Sequence, residues 1–205
     1  MSAIEQTTLR LILSAAKQEF LQKGFRSASL RNIVKTAGVT TGAFYGYYKC
    51  KEDLFEALVG EHYDFLLNCF CNAQKEFADI PPEKQPDNLA SVSGGCMYEM
   101  LLYAYEHLTE FKLILCCSEG TRFSDLIDKM VEIETKGTHD YLEVLKKLGR
   151  PSPPIDERLG HILFTGMVNT FFGLIIHEMP LEEAKHYLQE MREFYTAGWM
   201  KIMGQ

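Results

Sequence analysis

The chain has 205 residues, of which 46% are hydrophobic and 24% charged, and it carries a net charge of −7. That length suits one large domain or a small head with a body, and the composition is that of a globular chain and not a disordered one. No run of 18 apolar residues is free of charge, and no basic stretch leads into an apolar leader, so no membrane span and no signal peptide are expected, which places the chain in the cytoplasm.

The first predicted helix runs to about Lys23, with Leu9, Ile12, Leu13, Ala16 and Phe20 on one face and Gly24 ending it. Ser29 can cap a second short helix through about Thr36, with Leu30, Ile33, Val34 and Ala37 inward. Gly38 marks a tight turn. Thr40 can cap a third helix through about Tyr47, and a long fourth helix starts near Lys51 and reaches about Ala78. Pro81, Pro82 and Pro86 break the chain, after which Asn88 is expected to cap a fifth helix to roughly His107. A short segment at 111–117, a long helix over about 124–148, a proline stop at 151–154 and two last helices, 155–177 and 181–203, complete about nine. The expected fold is therefore all-α: a head over 1–48 and a body over 49–205.

The charge is uneven. Residues 1–55 hold eight Lys/Arg against four Asp/Glu, and residues 56–205 hold 13 against 24. A basic head on an acidic body suits a protein whose head alone meets phosphate. Two short helices joined at a glycine turn form a helix-turn-helix, whose second helix enters the major groove. Thr40, Thr41, Gly42 and Ala43 open that helix with small or hydroxyl side chains, which allow close approach and can bond phosphates or bases. Tyr45, Tyr47 and Tyr48 follow, flanked by Lys49 and Lys51.

The run AGVTTGAFYGYYKCKEDLF resembles the head of the TetR/AcrR family of regulators through Ala37, Gly38, Val39, Gly42, Tyr45, Tyr47, Lys51 and Leu54, with Phe20, Gly24 and Phe25 matching upstream. The resemblance covers about residues 8–60. Thr40 stands for a usual Ser, Tyr48 for Phe, Gly46 for a larger residue, and Cys50 for a better helix cap. The resemblance implies DNA contacts at Arg31, Thr40, Thr41, Gly42, Ala43, Tyr45, Tyr47 and Lys51, the last as a phosphate contact, with Phe44 and Tyr48 in the core. It implies a homodimer through residues 155–203, where Gly166 and Thr170 would permit close helix packing and Phe194 and Trp199 add apolar area. It also implies a small apolar effector held by the body, with Met100, Tyr103, His107, Phe123, Met167 and Phe171 as candidate lining; ordinary core packing accounts for the same residues.

The partners expected are thus double-stranded operator DNA, an effector and a second copy, with no membrane. The function expected is a sequence-specific transcriptional regulator, a repressor released by its effector. The alternative is a helical adaptor that does not bind DNA. No Gly-rich phosphate loop, GxSxG or HExxH occurs, so no enzyme activity is expected, and neither a catalytic residue nor a cofactor is assigned. The six cysteines have no CxxC spacing, and no metal ligand is assigned; buried packing is the plain reading, although Cys116 and Cys117 could in principle capture a soft metalloid or an electrophile.

Overall fold

The structure, a computed structural model, describes residues 3–204, the side chains of residues 3 and 4 excepted. Residues 1, 2 and 205, at the ends of the two expected domains, lie outside the described residues. Nine α-helices and two short 3-10 turns make up the described chain: α1 Ala3–Ser27, α2 Leu30–Ala37, α3 Thr41–Tyr45, α4 Lys51–Asp79, α5 Gln85–Glu106, α6 Leu108–Cys117, α7 Leu126–Lys147, α8 Glu157–Ile176 and α9 Leu181–Met203. No strand occurs among the described residues.

Two compact units divide these helices. The first holds residues 1–64 and 107–125, and the second holds 65–106 and 126–205. Chain order and compactness therefore part company at α4, whose residues belong to both, and at the junction of α5 and α6.

The first unit is built on aromatic packing. Phe20, Phe25 and Phe55 meet pairwise with ring centroids 5.0 to 5.9 Å apart, and Phe123 lies 5.8 Å from Phe55. Edge-to-face rings at these distances add to the area they bury. Tyr63 joins them against Phe123 and donates its hydroxyl hydrogen to Asp125 Oδ1 at 2.7 Å. On α4 and at the start of α6, the rings of His62 and His107 lie 4.4 Å apart, and burial followed by the neighbouring His107 pushes the His62 imidazole below its ordinary pKa.

The second unit packs α7 on α8 and α5 on both α8 and α9. Phe164 stacks on Trp199 with centroids 4.3 Å apart, and Phe65 stacks on Tyr103 at 3.7 Å. The Tyr105 hydroxyl donates to the carbonyls of Met179, at 2.6 Å, and Leu174, tying α5 to the turn between α8 and α9.

Gly24, at φ 69° and ψ 164°, breaks the first helix as expected, and a short helical stretch follows the kink to Ser27. Two local expectations need correction. Asn88 does not cap α5: the helix starts at Gln85 after a 3-10 turn, and the Asn88 amide donates back to the Lys84 carbonyl. The amide of Asp53 donates to Cys50 Sγ at 3.4 Å, while Asp53 Oδ2 accepts from Lys49 N at 3.1 Å, so cysteine serves at the start of α4.

By length and composition α8 could cross a membrane, with a mean hydropathy of 1.7 over an 18-residue stretch of its 20 residues. One side of it instead enters the core of the second unit through Phe164, Val168, Phe171, Phe172 and Ile175.

Candidate nucleic-acid interface

The head geometry follows from a few fixed points. Ser29 Oγ accepts from Asn32 N and caps α2, and Gly38 closes that helix at φ 68° and ψ 24°, with Val39 N reaching back to the Val34 carbonyl at 3.2 Å. A left-handed residue here favours glycine, because a Cβ would crowd the following carbonyl. The chain turns at once, and Thr40 Oγ1 accepts from Ala43 N at 3.1 Å to cap α3. α3 is shorter than expected, ending at Tyr45.

Glu19, which no sequence pattern singled out, ties the first two helices. Its carboxylate accepts from Lys23 Nζ at 2.9 Å, from Ser29 N at 3.0 Å and from Asn32 Nδ2 at 3.4 Å. The Lys23 hydrogen bond and then the Ser29 amide hold its pKa below 4.5, outweighing burial.

Most of the candidate contact residues on and around α3 are open to solvent. Arg31, Thr40, Thr41 and Gly42 are exposed, Ala43 is half-buried, and Tyr45 is 55% exposed. Phe44, the apolar counterpart, is fully buried, and Tyr48 is half-buried with its ring 5.9 Å from Phe44. Tyr47 is half-buried, and its hydroxyl donates to the Glu5 carbonyl at 3.1 Å, which anchors the turn after α3 to the start of α1. Lys35 and Lys49 add exposed cations to the same unit.

Lys51, expected as a phosphate contact, meets backbone carbonyls of its own unit. Its ammonium donates to the carbonyls of Phe25 at 2.6 Å, Ala28 at 3.2 Å and Arg26 at 3.3 Å, and sits 4.4 Å from the centroid of the Phe25 ring. An ammonium has three donors, and three carbonyls occupy them.

The second unit holds a partly open cavity of about 110 Å³. Phe70, Phe77, Phe164 and Trp199 form apolar walls, and Gln74, Glu134 and Tyr141 bring polar atoms to it. Gln74 Nε2 donates to Glu134 Oε2 at 2.9 Å, yet burial pushes the Glu134 carboxyl up to about 7. Gly137 makes room for this pair, since a Cβ there would fall 2.1 Å from Gln74 Oε1. The Tyr141 hydroxyl, on a residue only 3% exposed, has no hydrogen-bond partner among the described residues.

Of the six expected lining residues, only Met167 reaches this cavity. Met100, Phe123 and Phe171 are buried packing residues, and Phe123 and His107 belong to the first unit. Tyr103 stacks on Phe65. The lining comes instead from α4, α5, α7, α8 and α9, including Phe77, Glu134 and Tyr141. Nothing in periodicity separates an apolar position facing a cavity from one facing the core.

A capped short helix held at a glycine turn behind a second short helix, with small and hydroxyl residues outward, defines a helix-turn-helix module of the DNA-binding class. Residues 12–58 match the family model described as bacterial regulatory proteins, tetR family. The transcriptional regulator AcrR of Shigella flexneri is 47% identical over 53 residues, and the repressor BepR of Brucella suis is 42% identical over 53. In each case the alignment spans 26% of this chain and 25% of the relative, so the matched stretch is about a quarter of either protein. Two solved structures extend the likeness of fold over most of the chain. The chain resembles NalD, the secondary repressor of a multidrug efflux pump in Pseudomonas aeruginosa, with a TM-score of 0.56 and 19% identity over 96% of this chain and 98% of that one. It resembles a TetR-family regulator from Streptomyces coelicolor with a TM-score of 0.59 and 14% identity over 90% and 88%. At these identities the structural likenesses show the fold alone. The likeness to the TetR/AcrR family of transcriptional regulators is carried by the head, residues 12–58.

Proposed function

We propose that the chain is a sequence-specific DNA-binding transcriptional regulator of the cytoplasm, a repressor that leaves its operator when a small apolar effector binds. DNA contact falls to the head, 1–48, and effector binding and dimerisation to the body, 49–205. The observation that carries this reading is the family match of residues 12–58 on a head whose α3 turns Thr41, Gly42 and Tyr45 outward. Arg31, Thr40, Thr41, Gly42, Ala43, Tyr45 and Tyr47 are the proposed contacts. Lys51 supports them from behind.

The homodimer is proposed through 155–203. One short recognition helix reads few base pairs, and a two-fold pair reads two half-sites. Support comes from the face that α8 and α9 leave open. Ile162 is 64% and Phe194 72% exposed, with Leu159, Gly166 and Thr170 exposed beside them. Phe171, Leu174, Leu188 and Trp199, from the same stretch, are core.

The cavity is the proposed effector site. Its volume is of the order of an engineered cavity that admits benzene, ~150 Å³, and its aromatic walls suit a compact apolar molecule. α4 runs unbroken from Lys51 in the first unit to Phe77 at the cavity and is the proposed lever between effector and DNA. A coupling of about 1–3 kcal/mol suffices for a 5- to 150-fold change in affinity. The test is a gel shift with the DNA upstream of the protein's own gene, at two salt concentrations, with and without compounds that raise the melting temperature. Operator binding weakened by such a compound supports the reading. A folded protein that binds no DNA at low salt refutes it.

A further inference from the structure

We propose that His62, His107 and Glu110 form a binding site for a divalent first-row transition metal ion, with zinc the ion that the donor set suits best. The inference is independent of DNA binding and of the body cavity.

The three residues come from two elements of the first unit. His62 lies on α4. His107 precedes the first residue of α6, and Glu110 stands in that helix's first turn. Positions three apart at a helix start share a face, so His107 and Glu110 approach His62 together. One ligand atom from each lies within 4.8 Å of the other two. The His107 ring is not used to cap its own helix. All three side chains are half-buried, which favours ligation over free solvation and leaves a path for an ion.

Two imidazoles and one carboxylate are a borderline donor set that zinc takes with bonds of about 2.0–2.2 Å. A tetrahedral ion holds such ligands ~3.3 Å apart, so each side chain need move by roughly an ångström or less. Lys17 Nζ pairs with Glu110 Oε1. That pair is compatible with ligation through the other carboxylate oxygen, where the lysine would orient the ligand as supporting partners of metal ligands do. The fourth position is left to water.

The placement gives the site leverage on the fold. His62 stands two residues before α4 passes out of the first unit, and His107 is the residue at which the chain returns to it. An ion on these ligands ties together the two stretches by which the chain leaves and re-enters the head-bearing unit. Cysteine plays no part: none of the three ligands is a thiol, and Cys116 and Cys117 lie at the far end of α6.

The test is titration of Zn2+ and Co2+ into the full chain, stripped of metal with a chelator, kept reduced and free of DNA. Calorimetry and the Co2+ visible spectrum are the readouts. The proposal expects one ion per chain at micromolar metal, and a loss of affinity on His62→Ala, His107→Ala and Glu110→Gln of at least the ~10–100-fold that loss of a supporting partner alone costs. His62→Gln and His107→Gln, closer in size, give the same loss if the alanine variants do not fold. The double change Cys116→Ser and Cys117→Ser leaves binding intact. Absence of binding at micromolar metal overturns the proposal. So does binding that the folded histidine variants retain, or that the serine variant abolishes.

Discussion

The Lys51 ammonium lies 2.6 Å from the carbonyl oxygen of Phe25 and 4.4 Å from the centroid of that residue's ring. With the Arg26 and Ala28 carbonyls it collects the chain end that follows Gly24 and fixes the start of α4 against it. A lysine used in this way stabilises the head. Lys51→Met keeps the aliphatic stem and removes the charge. It should destabilise the first unit by roughly 1–3 kcal/mol, since hydrogen bonds to a charged group are lost. The dependence of DNA affinity on salt should keep its slope, whereas loss of a phosphate contact would lower that slope by about one. Chemical denaturation and salt-dependent anisotropy measure the two effects.

Acid should loosen the head through Glu19. Its folded pKa is held below the ordinary 4.5 by Lys23 and Ser29. A depressed carboxylate contributes stability that is present above the unfolded value and is lost as pH falls through the folded one. Stability of the wild type should therefore fall as pH drops below 4.5. Glu19→Gln should be less stable at neutral pH and should show a shallower fall, as followed by thermal melts from pH 7 to 3.

Glu134 should act with the opposite sign in the second unit. Burial raises its pKa from 4.5 to about 7, so the neutral acid is the form that the fold favours. Its contribution is fully present below pH 4.5 and is lost as pH rises through about 7. Glu134→Gln keeps an acceptor for Gln74 and removes the charge. It should raise stability at pH 8, by at most roughly 3 kcal/mol, and change little at pH 4. Equal effects at both pH values would mean that the carboxyl is solvated as an ordinary surface acid.

The open face of α8 and α9 gives a direct test of assembly. Ile162→Asp places a charge on a residue that is 64% exposed in the single chain, so the monomer fold should tolerate it. Sedimentation should find about twice the chain mass of 23.5 kDa for the wild type and the single mass for the variant. A wild type that sediments as a folded monomer at micromolar concentration contradicts the dimer.

The head was largely legible in the sequence because its signals are local. Ser29, Gly38 and Thr40 are capping or turn residues whose chemistry acts within a few positions, and each does so in the structure. Tyr45 and Phe44 separate outward and inward as the family pattern implies. Signals that depend on distant pairing were not legible. The role of Lys51 rests on carbonyls 23 to 26 residues away, and Glu19 reaches across to α2. The lining of the cavity was not legible because Met100 and Phe171 have the same helical spacing as residues that line it, while the polar residues that mark it come from α4 and α7, with Gln74 and Glu134 60 residues apart. His62 and His107 likewise meet only through the fold.

Selection of bound sequences from random double-stranded DNA tests the central claim most directly. The account predicts enrichment of a two-fold symmetric site with half-sites spaced by about one helical turn or a multiple of it, ~34–36 Å along the duplex. Tyr45→Ala, altering a residue 55% exposed on α3, should bind that site more weakly by roughly 1–3 kcal/mol while melting like the wild type. No enrichment at low salt by a folded, dimeric protein, or a site bound equally well by the Tyr45 variant, would contradict the account.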